Sequence, residues 1–323
     1  MQRCLVVILI ILIFAAAVSA QITDSAANRD TEKVKFVTSD IDNFWRAYDL
    51  AQKENDKAKK IAIFQSEYLD KGSAGLKDFV TLRIKSANNL VDSIEKRPKY
   101  YASIRPSTLR VKKMENQMRK SFRNLKKIYP DAIFPDVYFT IGILNSGGTT
   151  SKNGLLIGTE MYGLTAQTPR EELNDWLKAV LAPIDNLPYI VAHELIHEEQ
   201  KLAPHYSLLG KAVQEGMCDF IAELIAGKHA NQVQKAYGEL HEAEIWQEFQ
   251  PLMWEKDYSK WIYDGVNAKN RPADMGYYVG YKIVQSYYNN TKDKRQAVKD
   301  ILEIKDLNIF FEASKYGSKF VKN

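Results

Sequence analysis

The sequence predicts an α+β chain that is mainly helical, with a small antiparallel or mixed sheet packed on one buried helix. Three observations carry this expectation. Residues 39–129 place apolar side chains at helical spacing almost throughout. β-Branched and aromatic residues crowd into two short runs between Pro130 and Gly163. Helical spacing then returns from Pro169 and persists to the C-terminus. With 323 residues, 45 % of them apolar and 26 % charged, the chain has material for one large domain or two modest ones.

The first element is a leader. Arg3 precedes an apolar run at 5–17 that ends in Val18-Ser19-Ala20, the pattern of a cleaved export signal. The run is short for a bilayer span, and the chain turns polar at Gln21. Cys4 lies at the start of the run rather than after it, so no lipid attachment is expected there. The chain is therefore expected to be exported, periplasmic or extracellular, without stable membrane insertion once the signal is removed. Cys218 is the only other cysteine, so the mature chain has no internal disulfide.

Residues 21–130 read as a helical N-terminal region. Ser39-Asp40-Ile41-Asp42 is a helix start, with Phe44, Tyr48 and Ala51 on one face. Gly72-Ser73-Ala74-Gly75 breaks the chain, and amphipathic stretches follow at 76–94 and 109–128, separated by a turn near Arg105-Pro106. The longest basic stretch, 110–127, is interrupted by apolar residues at helical spacing and reads as the solvated face of one helix. A net charge of +5, this dispersed, excludes a nucleic-acid protein.

The remainder, 131–323, forms the second region. Val137 to Ile143 and Gly154 to Gly158 read as strands, with turn chemistry at Asn145-Ser146-Gly147-Gly148 between them, and an antiparallel pairing is expected. Asn186-Leu187-Pro188 then opens a helix, Asn186 as cap and proline in the first turn. That helix carries His193-Glu194-Leu195-Ile196-His197. Histidines four apart stack on one helix face, so both imidazoles can reach one cation. Apolar Ile190, Val191, Ala192, Leu195 and Ile196 place the helix in the interior, where stacked histidines need a purpose. Glu194 is placed to take a proton from a metal-bound water.

A zinc ion so held needs a third protein ligand. Glu198 and Glu199 turn away on the same helix, and His205 lies beyond Pro204. Gln200 and Ala203 stand where a metzincin needs glycine and histidine. The best candidate is Glu215, with seventeen residues between it and His197. Asp219, one turn later on the same face, can accept the outer N–H of a ligating histidine. The expected site is thus Zn2+ on His193, His197 and Glu215, supported by Asp219.

His193-Glu194-x-x-His197 followed by Glu215-x-x-x-Asp219 resembles the gluzincin clan of metallopeptidases, which includes thermolysin-like enzymes and aminopeptidases. The likeness covers roughly residues 135–290. It is closer to a bacterial family of exported proteins predicted to be zinc-dependent proteases, through Asn145 to Thr150, Gly154 to Met161 and Met275 to Tyr281. The resemblance implies a gluzincin-like domain at 131–323, peptide or protein substrates and hydrolysis with Glu194 as general base. It implies that Tyr277, which opens a Tyr-x-x-Gly segment 62 residues after Glu215, stabilises the oxyanion. It also implies an edge strand at 155–161 that pairs with extended peptides. The aminopeptidase signature Gly-Ala-Met-Glu-Asn is absent, with Glu160-Met161 its only echo, so endopeptidase action is favoured. The competing expectation is a catalytically silent, zinc-stabilised binding protein of the cell envelope.

Overall fold

The computed structural model describes residues 27–265, 268 and 270–320; the leader at 1–20 and Cys4 lie outside them. A two-residue strand, β1 (Phe36–Val37), leads into seven helices: α1 (Ser39–Ala51), α2 (Lys57–Phe64), α3 (Ala74–Phe79), α4 (Ala87–Lys96), α5 (Pro98–Ser103), α6 (Arg105–Leu109) and α7 (Glu115–Ile128). Asp56, Ser73 and Ser86 cap α2, α3 and α4 through side-chain oxygens. The amphipathic stretch expected at 76–94 is broken. α3 runs into a π turn (Val80–Ile84), Lys85 takes a positive φ of 72°, and Ser86 starts α4. A serine at that point favours a cap over a helix interior.

The sheet contains β2 (Val137–Thr140), β3 (Gly148–Ser151) and β4 (Gly154–Gly158) in the order β1-β2-β4-β3. It corrects the expected pairing: β2 and β4 run parallel, and the antiparallel partner of β4 is β3. The segment read as a turn supplies that strand from Gly148-Thr149-Thr150-Ser151. The true hairpin connection is Lys152-Asn153, with Gly154 at φ 137° against the Asp136 carbonyl. Consequently β4 is central and β3 is the edge, which also corrects the edge strand expected at 155–161. Both β2 and β4 are buried along their whole length, and continuous apolar runs are what strands covered on both faces require.

After the sheet come α8 (Asp175–Val180), α9 (Leu187–Glu199), α10 (Leu208–Ala226), α11 (Gln232–Phe249), α12 (Met275–Asn290), α13 (Lys294–Leu302) and α14 (Leu307–Ser314). The fold is mainly helical around one small mixed sheet. Side chains alternate across a strand, so contacts identify what covers each face. Gly75 of α3 lies against the Tyr138 ring, whereas Gly148, on the opposite face, lies against the Glu194 carboxylate of α9. The sheet is therefore sandwiched between α3 and α9. Helix α10 packs in turn on α9, α7 and α12. Residues on both sides of position 130 share the sheet and one continuous apolar core from Val34 to Tyr316.

Candidate metal centre

Helix α9 carries Pro188 in its first turn, but Asn186 makes no side-chain cap, its backbone being already helical. Val191, Ala192, Leu195 and Ile196 are fully buried, leaving His193 and His197 stacked on the face turned to α10. Ser207 caps α10 through Gly210 N–H, and Gly227 ends it in the left-handed conformation. Two glycines set how closely α10 meets α12. A Cβ on Gly280 would lie 1.7 Å from the Ala212 carbonyl oxygen, and one on Gly216 would lie 2.1 Å from Gly280. Only hydrogen fits at either position. Glu215 is the residue next to this backbone contact.

The two helix faces meet at the acid. Glu215 Oε2 lies 3.6 Å from His193 Nε2 and 3.4 Å from His197 Nε2. A tetrahedral ion with bonds of 2.0–2.1 Å has ligand-to-ligand edges of about 3.3–3.4 Å, so the two distances from Glu215 Oε2 to the imidazoles stand close to an ion's coordination spacing. On the outer side, His193 Nδ1 is 2.8 Å from Asp219 Oδ1. His197 Nδ1 faces Gln200 Oε1 at 3.2 Å and Cys218 Sγ at 3.4 Å. Those partners make both outer nitrogens donors, which leaves each Nε2 as the atom that faces Glu215. His193, His197 and Cys218 also fall within one ligand-sized cluster, but Cys218 meets His197 at the outer nitrogen, away from Glu215.

Charge favours a cation here. Glu215 and Asp219 are both buried, and their partners among the described residues are imidazoles, an amide and a phenol, with no lysine or arginine. Burial penalises a charged His193, yet the hydrogen bonds it donates to Asp219 and Glu215 outweigh it and hold its pKa well above the usual value. Burial likewise opposes charge on His197 and is overcome, chiefly by Cys218 and Glu215. Burial would raise Glu215, but the two histidines carry it well below the carboxylate range. A divalent ion would neutralise two buried carboxylates while both imidazoles stay neutral.

The other expected residues are placed as follows. Glu194 is half-buried against Gly148 of β3. Tyr277 stacks on His193 at 6.3 Å between ring centroids. Glu199 points elsewhere: it accepts Ile133 N–H, and burial pushes it up to about 8. His205 stands apart, its Cβ against Gly210. Three groups escaped sequence reading. Tyr263, on a loop with φ 59°, donates to Glu215 Oε1 at 2.9 Å. Gln200 buttresses His197, and Asn231 donates to both oxygens of Asp219.

The chain matches the family described as gliding motility protein GldB over residues 24–318. It belongs to that family. No curated protein and no solved structure matches it. Membership in GldB, a lipoprotein family of the cell envelope, overturns the gluzincin resemblance and the activity drawn from it: the peptidase reaction, the base role of Glu194 in that reaction and the endopeptidase preference. The physical reason is that histidines four apart on a buried helix encode at most a cation-binding geometry, whereas peptide hydrolysis also needs a substrate cleft that this spacing does not encode. Among the described residues of this GldB-family chain, no helix is long and apolar enough to cross a membrane.

Proposed function

We propose that this chain is a non-catalytic, zinc-stabilised binding component of the cell envelope, on its periplasmic or outer side, that serves gliding motility. The family match over residues 24–318 carries this reading. The distances of 3.6 and 3.4 Å from Glu215 Oε2 to the two imidazoles support the zinc, and a metal that binds the folded chain alone adds its binding free energy to stability. The ion would tie α9, which covers the sheet, to α10, which organises the helices behind it. Other first-row ions suit the same donors, but two imidazoles and a carboxylate favour zinc.

Two measurements test the proposal. The chain from Gln21 should hold about one zinc per molecule, sharply reduced in His197→Ala and Glu215→Ala, and chelation should lower its melting temperature. In a gliding host lacking the gene, Glu194→Gln should restore movement as well as wild type, whereas His197→Ala should not. A zinc-loaded, folded Glu194→Gln protein that fails to restore gliding would sink the non-catalytic reading.

A further inference from the structure

Behind the metal centre, the connection between α10 and α11 is built around Asp219. It comprises Gly227, Lys228, His229, Ala230 and Asn231. Asn231 occupies the N-cap position of α11, where asparagine ordinarily accepts a first-turn N–H. It makes no such bond. Its Nδ2 instead donates to Asp219 Oδ1 at 3.0 Å and Oδ2 at 2.8 Å. The backbone N–H of Asn231 donates to His229 Nδ1 at 2.9 Å. That bond leaves the proton of a neutral His229 on Nε2, a buried atom without a partner that lies 3.9 Å from Asp219 Oδ2. Asp219 is fully buried, so this loop supplies what water cannot reach.

We propose that Asn231 is a positioning residue of the metal centre, and that zinc occupancy and docking of the 227–231 loop are coupled through Asn231, Asp219 and His193. The inference rests on the zinc reading above. Asn231 grips both oxygens of Asp219, so the carboxylate cannot rotate away from His193 Nδ1–H. Held there, it keeps His193 in the tautomer that offers Nε2 to the ion and raises its basicity. Undocking the loop frees the carboxylate and weakens the metal. By reciprocity the metal holds the loop by the same factor. The coupling reaches the surface, because Val233, two residues beyond Asn231, is 68 % exposed. A cap given up in favour of a buried carboxylate is a local departure of the kind that marks a functional site.

Zinc affinity, measured by competition with a chromophoric chelator, should fall about tenfold in Asn231→Ala. Asn231→Ser restores a cap acceptor but is too short to span both oxygens of Asp219. It should keep or raise the melting temperature of the zinc-free protein while losing the same affinity, a split that a merely structural asparagine would not produce. Hydrogen exchange of amides 227–233 should slow on adding zinc to wild type and respond far less in either variant. Absence of zinc binding in wild type overturns the zinc reading and this inference together. Zinc-binding wild type with unchanged affinity in Asn231→Ser, or loop exchange indifferent to zinc, overturns this inference alone.

Discussion

Glu215 and Glu160 are buried to nearly the same extent, and their surroundings drive them to opposite states. Glu215 faces two imidazoles and a phenol, and is held as an anion well below the usual range. Glu160 sits in a single 3-10 turn (Thr159–Tyr162) under the loop that follows β2. Burial pushes it up to about 7, with backbone N–H groups of Gly142, Glu160 and Leu144 opposing the shift. Its Oε2 has no hydrogen-bond partner among the described residues. At Glu160 the backbone N–H groups do not offset burial, whereas at Glu215 the two imidazoles do. The same side chain is thus held as an anion in one place and drawn toward its neutral form in the other.

The largest blow to this contrast comes from the frame that holds Glu215. Gly280→Ala drives a methyl into the Ala212 carbonyl, and backbone cannot swing aside as a side chain could. The expected loss exceeds about 4 kcal/mol, read by denaturant melts, and zinc content should fall with it. A variant within about 1 kcal/mol of wild type would mean that α10 and α12 have slack at this crossing.

Glu160→Gln breaks the other side. A carboxyl with a raised folded pKa binds more protons folded than unfolded. Its contribution therefore declines as pH rises from the unfolded value, 4.5, through about 7. Relative to Glu160→Gln, wild type should lose about 3 kcal/mol between pH 4 and pH 9, on the order of the shift itself. Parallel melting curves across that range would show that Glu160 has an unseen counter-charge.

The smallest effect sharpens the first side. Tyr263→Phe removes a donor to Glu215 Oε1 from an exposed loop, worth about 1 kcal/mol. Zinc affinity should weaken about fivefold with the melting temperature of the metal-free protein nearly unchanged. An undiminished affinity would confine the orienting of Glu215 to α10 and the two histidines.

How much of this was legible follows from the range of each interaction. His193 with His197, and Glu215 with Asp219, are periodicities of one helix turn that a sequence displays directly. Buried β2 and β4 announce themselves by β-branched and apolar runs. The direction of β4 was not readable, because Thr149-Thr150-Ser151 beside two glycines has the composition of a turn and only its pairing makes it a strand. Tyr263 and Asn231 come from loops whose positions depend on how whole helices pack. Glu160 looked like an ordinary acid, since burial of a lone carboxyl has no local signature. The peptidase reading failed for a different reason: a metal geometry is local, whereas turnover is a property of the whole cleft.

The crossing of Gly216 and Gly280 also has a mechanical meaning. Helix α10, at 19 residues, is about 28 Å long, and Gly216 stands near its midpoint. With no side chain between the backbones, that crossing pins the two helices at one point. Both ends of α10 are tied down as well, the Leu208 and Leu209 N–H groups to the Glu255 and Met253 carbonyls and the Ile225 carbonyl to Asn124. Glu215 thus sits beside the pin of a helix braced at both ends, a frame built to hold one spacing.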